Sequence, residues 1–189
     1  MAGAAEKLAI TYEEYLALER RTDVRHEWRR GEVWAMAGGT PKHAVVCANV
    51  IRLLGNALAS RPCTVHTSDQ KIRVEASDRS TYPDITVVCG KREVSALDPN
   101  ALTNPIAIVE VLSDGTESDD RGEKAAQYRR IASLREYVLV SQKERHVEVY
   151  SRNEAGEWRF RESFEGQRCE LPSLGITLDV DAVYVDPTA

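Results

Sequence analysis

Ile106-Ala107-Ile108-Val109-Glu110-Val111-Leu112 is the most continuously apolar run in the chain. A run of that kind, rich in β-branched residues and near strand length, reads as a central β-strand buried on both faces. Ser113 to Ser118 is polar and contains Asp114-Gly115, so it reads as a loop. A helix is predicted from about Asp120 to Ser133, then a strand over Tyr137–Ser141. Strand, helix and strand in that order predict a right-handed βαβ crossover.

Upstream, Thr81 to Val88 reads as one strand, with Pro83 near its start, where the missing N–H does least harm. Lys71-Ile72-Arg73-Val74-Glu75 alternates with period two and predicts a half-exposed strand, preceded by a short one at Thr64–Thr67. The segment 25–37 carries Trp28, Val33 and Trp34 around Arg29-Arg30-Gly31 and reads as a hairpin. Val46, Val50, Leu53, Leu54 and Ala57 recur at helical spacing, giving a helix from about Lys42 to Ala59 that packs on the sheet. Thr11 and Glu14 have capping-box spacing, so a helix starts there and runs to about Glu19 or Arg20, after a loose tail over residues 1–10. Residues 90–105 read as a connection. His146–Arg152 and Trp158–Phe164 are further strands, and a short last element lies near Val183. The fold class is α/β (α+β), a mixed β-sheet flanked by helices, in one domain over residues 11–185.

Composition narrows the function classes. At 189 residues, 42% hydrophobic and 29% charged, the chain is globular. No apolar run approaches the roughly 20 residues of a membrane span, and Met1 to Ile10 lacks a signal-peptide core, so a cytoplasmic protein is expected. Cys47, Cys63, Cys89 and Cys169 show no Cys-x-x-Cys spacing. Cys47 and Cys89 read as buried thiols, and no disulfide framework is expected. The net charge of −5 argues against a general nucleic-acid coat. Nucleic acid would have to be met by a local patch, with divalent cations shielding an acidic site.

Two carboxylates stand out against these segments. If the strands 81–88 and 106–112 are neighbours, Asp84 and Glu110 converge at one end of the sheet. Paired carboxylate oxygens form a hard-cation site suited to Mg²⁺ or Mn²⁺. Lys124 and Tyr128 stand four apart on the following helix and share a face that can turn back over the strand ends. Metal, acids and ammonium together suit phosphodiester hydrolysis, and Glu27 in the hairpin could join the metal shell. Each residue also has a plainer reading. Asp84 could be a turn aspartate after proline, Glu110 a strand-end acid paired with an arginine, and Lys124 a solvated helix charge. Glu27 could pair with Arg25, Arg29 or Arg30. Glu32 reads as a surface charge, His43 as a cap or surface residue, and Tyr128 as packing. Ser113 either starts the loop or orients Glu110.

Pro83-Asp84, then Glu110-Val111-Leu112-Ser113, then Lys124-x-x-x-Tyr128, resembles the PD-(D/E)XK nuclease superfamily. More narrowly the chain resembles the bacterial Uma-two family of proposed restriction endonucleases. Glu27 with Gly31-Glu32, Met36 to His43, Glu136-Tyr137-Val138-Leu139-Val140 and Leu171-Pro172-Ser173-Leu174 follow that family's pattern in order. His26 and Val138 replace its usual Tyr and Trp. In the wider superfamily the lysine stands two residues after the second acid, where this chain has Leu112. The family reading moves it to Lys124. The resemblance implies a restriction-endonuclease-like fold and a Mg²⁺-dependent endonuclease site at Asp84, Glu110 and Lys124, with Glu27 as accessory acid. DNA is the implied substrate. Cutting both strands of a duplex takes two sites, which suits a homodimer. The alternative is a non-catalytic nucleic-acid-binding or regulatory module on the same fold. A carboxylate-pair glycosidase gives Lys124 no role and ranks last.

Overall fold

The computed structural model describes residues 9–36 and 38–187, so residues 1–8 of the expected tail lie outside the described residues. Helix α1 (Tyr12–Glu19) opens with the expected capping box: the Glu14 amide donates to the Thr11 hydroxyl and the Thr11 amide donates to the Glu14 carboxylate. Strands β1 (His26–Arg29) and β2 (Glu32–Ala35) pair as a hairpin. Arg30 and Gly31 turn it at φ of 48° and 93°, the two-residue geometry whose twist suits a hairpin. Helix α2 (Pro41–Leu58) follows, its buried stripe made by Val46, Val50, Leu54 and Leu58.

Next come β3 (Cys63–Thr67), β4 (Lys71–Val74), β5 (Arg79–Thr81), β6 (Ile85–Cys89), β7 (Ala101–Leu102) and β8 (Ala107–Val111). A helical stretch is built from α3 (Glu117–Asp119), a π turn at Asp120–Lys124 and α4 (Ala125–Tyr128). The chain ends with β9 (Glu136–Val140), β10 (His146–Arg152), β11 (Trp158–Phe164), β12 (Arg168–Leu171), β13 (Ile176–Asp179) and α5 (Val180–Val183).

The strands form a five-stranded sheet in the order β2-β1-β5-β4-β7, a six-stranded sheet in the order β11-β10-β9-β8-β6-β3, and the β12-β13 pair. Both larger sheets are mixed, with β4–β7 and β8–β9 as their parallel pairs. The expected central strand is β8, buried at every residue. Its alternation sorts the two cores. Ala107, Val109 and Val111 face α2 and the C-terminal elements, while Ile108 and Leu112 face Tyr128, Ile131 and Leu134. The β8–β9 connection carries the helical stretch across this second face.

Several expectations are corrected. The stretch Thr81–Val88 is not one strand: β5 lies in the five-stranded sheet and β6 in the six-stranded one, and Tyr82-Pro83-Asp84 is the crossing between them. Strand β4 is fully buried, not half exposed. Lys71 is neutralised by Asp98 at 3.0 Å and Glu19 at 3.5 Å, and the Arg73 guanidinium lies 4.0 Å from the Tyr12 ring centroid. Period two marks alternate faces, but paired cations can be buried on either. Cys89 is not a thiol. It faces Cys63 in the β3–β6 register, with Cα atoms 4.0 Å apart, and the two form a disulfide. The helix expected over 120–133 runs instead over 117–128.

Glu136 is fully buried at the start of β9, and one of its oxygens accepts the Ser173 amide at 2.8 Å. Burial pushes this carboxyl up to about 7 from an ordinary 4.5. A raised folded-state value gives stability that is whole below about 4.5 and is lost as pH rises through about 7. Glu136→Gln keeps an acceptor for Ser173 and removes the titration. It is expected to be the more stable protein at pH 8 by about 3 kcal/mol relative to the pH 4–5 comparison. Thermal melts of both proteins across pH 4.5–8.5 check this, and a constant gap between them would refute it.

Candidate active site

The site lies where β6 begins and β8 ends. The two strands are antiparallel neighbours with Ile85 opposite Val109, which puts Asp84 beside Glu110. The Asp84 amide donates to Glu110 Oε2 at 3.3 Å, and the Val111 amide donates to Asp84 Oδ2 at 2.8 Å. Among the described residues, Asp84 Oδ1 has no hydrogen-bond donor, and the side chain is 18% exposed. Glu110 is on the face of β8 that looks toward the helical stretch. Its Oε1 accepts from Tyr128 Oη at 2.8 Å and meets Lys124 Nζ at 3.3 Å.

Lys124 reaches inward because of the π turn. Such a turn inserts a residue into the helical ladder and recurs at functional sites. Here the turn buries both of its ends, Asp120 and Lys124, and the two side chains pair at 2.9 Å. Lys124 also stands 3.9 Å from Glu27 Oε1. Tyr137 Oη donates to the Asp120 carbonyl at 2.8 Å and ties the turn to β9.

Glu27 pairs with none of Arg25, Arg29 and Arg30. Its partner is Arg79 on the next strand, fully buried, whose Nη2 donates to Glu27 Oε2 at 2.7 Å. Thr81 donates to the other oxygen at 2.5 Å. Tyr128 Oη is 3.2 Å from Thr81 Oγ1, so Glu110, Tyr128, Thr81 and Glu27 form one chain. That chain has two hydroxyl protons for three contacts. With both carboxylates ionised it is one proton short, and a proton on Glu110 completes it.

The electrostatics agree. Four carboxyls, on Glu27, Asp84, Glu110 and Asp120, face the two fixed cations of Arg79 and Lys124. Burial pushes Glu110 up to about 8; Lys124 pulls it down, while Asp84, Asp120 and Glu27 push it further up. Burial also raises Asp120. Burial opposes the charge on Lys124, but Glu110, Glu27 and Asp120 outweigh it and hold the ammonium well above its ordinary value. Burial opposes the Glu27 charge too, and Lys124 and Arg79 reverse that, leaving it below its ordinary value. A carboxyl excess and an unengaged Asp84 oxygen are what a bound divalent cation would satisfy, so the donor set fits a metal.

A cleft of about 840 Å³ opens above, lined by Glu27, His43, Asp84, Lys124, Trp34 and Gln142 among others. Glu110 is buried and is not part of that lining. His43, expected as a cap or surface residue, directs Nε2 at Asp84 Oδ2, 3.2 Å away. Its pKa is raised, chiefly by that hydrogen bond. Ser113 does not orient Glu110; its hydroxyl meets Thr116 at 2.9 Å. Sequence reading missed Arg79, Thr81 and Asp120 and gave Tyr128 only a packing role. A signal was available for Asp120, which is i, i+4 to Lys124.

A cleft floored by paired acids and a buried lysine, on a mixed sheet with a parallel β8–β9 pair, defines a nuclease-like α+β protein. The chain belongs to the Uma2 (Uma-two) family, described as "Putative restriction endonuclease", which it matches over residues 12–181. It is similar to two Synechocystis sp. (strain ATCC 27184 / PCC 6803 / Kazusa) proteins, Uncharacterized protein slr1290 and Uncharacterized protein sll1609. The first is 35% identical over 93% of this chain and 91% of its own length, the second 30% over 86% and 91%. A crystal structure of "a putative nuclease belonging to DUF820" from Anabaena variabilis ATCC 29413 has the same fold, with a TM-score of 0.76 at 17% identity over 93% of this chain and 97% of that one. Among the described residues no helix is long and apolar enough to cross a membrane.

Proposed function

We propose that the protein is a metal-dependent endonuclease of the PD-(D/E)XK kind that hydrolyses DNA phosphodiester bonds. The observation that carries this reading is the convergence of Asp84, Glu110 and Lys124, from the crossing before β6, from β8 and from the π turn, beneath one cleft. Asp84 and Glu110 would hold Mg²⁺ or Mn²⁺, which would supply charge neutralisation for the phosphate and acidify a water. The chain's own residues do the rest. The Val111 amide fixes Asp84, and Tyr128 fixes Glu110. Lys124, kept charged by three acids, faces the charge that builds on the phosphoryl oxygens as water adds to phosphorus and the P–O bond breaks. The proton released from the water ends on the leaving oxygen. Glu27 has both oxygens engaged and acts by holding Lys124, not by binding the ion.

The test is cleavage of duplex and single-stranded DNA with Mg²⁺ or Mn²⁺. Asp84→Asn is expected to lower the rate about 100-fold, by analogy with the loss of one electrostatic group from an active site. Unchanged, metal-dependent cleavage by Asp84→Asn would remove the reading. The net charge of −5 favours the second reading, a module that binds nucleic acid without cutting it. DNA binding with no turnover in either metal supports that one. Cutting both strands calls for a homodimer, which light scattering checks.

A further inference from the structure

One ligand atom from each of His43, Cys47 and Asp84 lies within 4.8 Å of the other two. This grouping overlaps the proposed nuclease centre only at Asp84. It does not include Glu110. We infer that His43, Cys47 and Asp84 form a transition-metal site, of the Zn²⁺ or Co²⁺ class, on the α2 side of the cleft.

The local structure is built for it. His43 and Cys47 are i, i+4 on α2 and share a face, the spacing at which two helical side chains grip one ion. The start of α2 is fixed by its cap: the His43 backbone amide donates to the Thr40 hydroxyl at 3.1 Å. Gly39 leaves the ring its place, since a Cβ there would come within 2.8 Å of His43 Nδ1. Cys47 Sγ is 3.5 Å from Nδ1 and Asp84 Oδ2 is 3.2 Å from Nε2, so the two donors meet different ring nitrogens, and a turn of the imidazole brings all three to one ion. Asp84 and His43 both line the cleft, giving an ion a path in and a side open to water or ligand.

The donor chemistry decides the ion. Nitrogen, sulfur and carboxylate oxygen from three side chains, with a position left open, is the pattern of a catalytic-type zinc site. Mg²⁺ takes oxygen ligands and does not compete for thiolate and imidazole. On binding, the Cys47 thiol gives its proton to solvent, and His43 keeps one ring proton on the nitrogen that does not ligate. Because Asp84 serves both centres, the inference rests in part on the proposed nuclease site, and a thiophilic ion here withdraws Asp84 from it.

The test uses Co²⁺ added to the full chain without nucleic acid, so its result is independent of cleavage. Expected are one bound ion per chain, a near-ultraviolet sulfur-to-cobalt charge-transfer band and proton release by calorimetry. Cys47→Ser is expected to abolish the band, and His43→Gln to weaken Co²⁺ binding at least tenfold, each with the fold checked by circular dichroism. Zn²⁺ is expected to displace Co²⁺, while Mg²⁺ in large excess is not. No bound Co²⁺, a complex without the sulfur band, or a band that survives Cys47→Ser would each overturn the inference. If the band appears and DNA is never cut, the metal site stands and the nuclease reading falls.

Discussion

Lys124→Met is expected to slow metal-dependent cleavage by about 10³-fold, the upper end for losing one group that stabilises transition-state charge. It is also expected to lower stability, by an amount that depends on pH. Lys124 compensates Glu27, Glu110 and Asp120 in a buried setting. Removing one partner of a buried ion pair costs about 3–5 kcal/mol when the stranded charge stays charged. At low pH it does not stay charged. Glu110 already titrates near 8 with Lys124 present, and without the ammonium its folded value moves higher. A carboxyl raised in this way contributes stability that is whole below 4.5 and is lost as pH rises through the folded value. The deficit of Lys124→Met against the native chain therefore widens from pH 5 to pH 9. At pH 9 it corresponds to a melting temperature lower by about 10 °C, at about 2–4 °C per kcal/mol for a chain of this size. Equal deficits at the two pH values would mean that Lys124 is not the counter-charge of these acids.

Much of this arrangement was legible before the structure. The apolar run at 106–112 identified the central strand because a strand buried on both faces has no room for alternation, and Glu110 stood out as the acid within it. The i, i+4 relation of Lys124 and Tyr128 placed both on one helical face, and both reach Glu110. Other features depend on long-range pairing that a single chain does not display. Arg79 meets Glu27 because β5 lies beside β1 in the five-stranded sheet, a neighbour 52 positions away. Cys63 and Cys89 meet through the β3–β6 register. The break at Tyr82-Pro83-Asp84 was hidden because strands in two sheets can follow each other with only three residues between them. The same break frees Asp84 from strand alternation, so its carboxylate turns to the Val111 amide and to His43 on α2.

Arg79→Met is expected to cost about 3–5 kcal/mol, because it strands a buried carboxylate. Arg79 is fully buried, and its Nη2 donates to Glu27 Oε2 at 2.7 Å and approaches Asp119 at 3.5 Å. Glu27 owes its lowered pKa to Lys124 and to Arg79, which together overcome the effect of burial. Without Arg79, Lys124 is the cation left beside Glu27, and less of the ammonium is left to face substrate. The variant should therefore also cleave more slowly, although Arg79 does not line the cleft. A double-mutant cycle separates the pair from the loss of packing. Glu27→Gln removes the charge that Arg79 neutralises, so the double variant is expected to lose less stability than the two single losses added, by about 2 kcal/mol. Additive losses in chemical denaturation would mean that Arg79 and Glu27 are neighbours without being energetic partners. Mn²⁺ affinity gives an independent reading of the same residues. Glu27→Gln is expected to leave it nearly unchanged while lowering the cleavage rate, because both Glu27 oxygens are held by Arg79 and Thr81 and neither is free for the ion. A large loss of Mn²⁺ binding in Glu27→Gln would return Glu27 to the metal shell that its place in the hairpin first suggested.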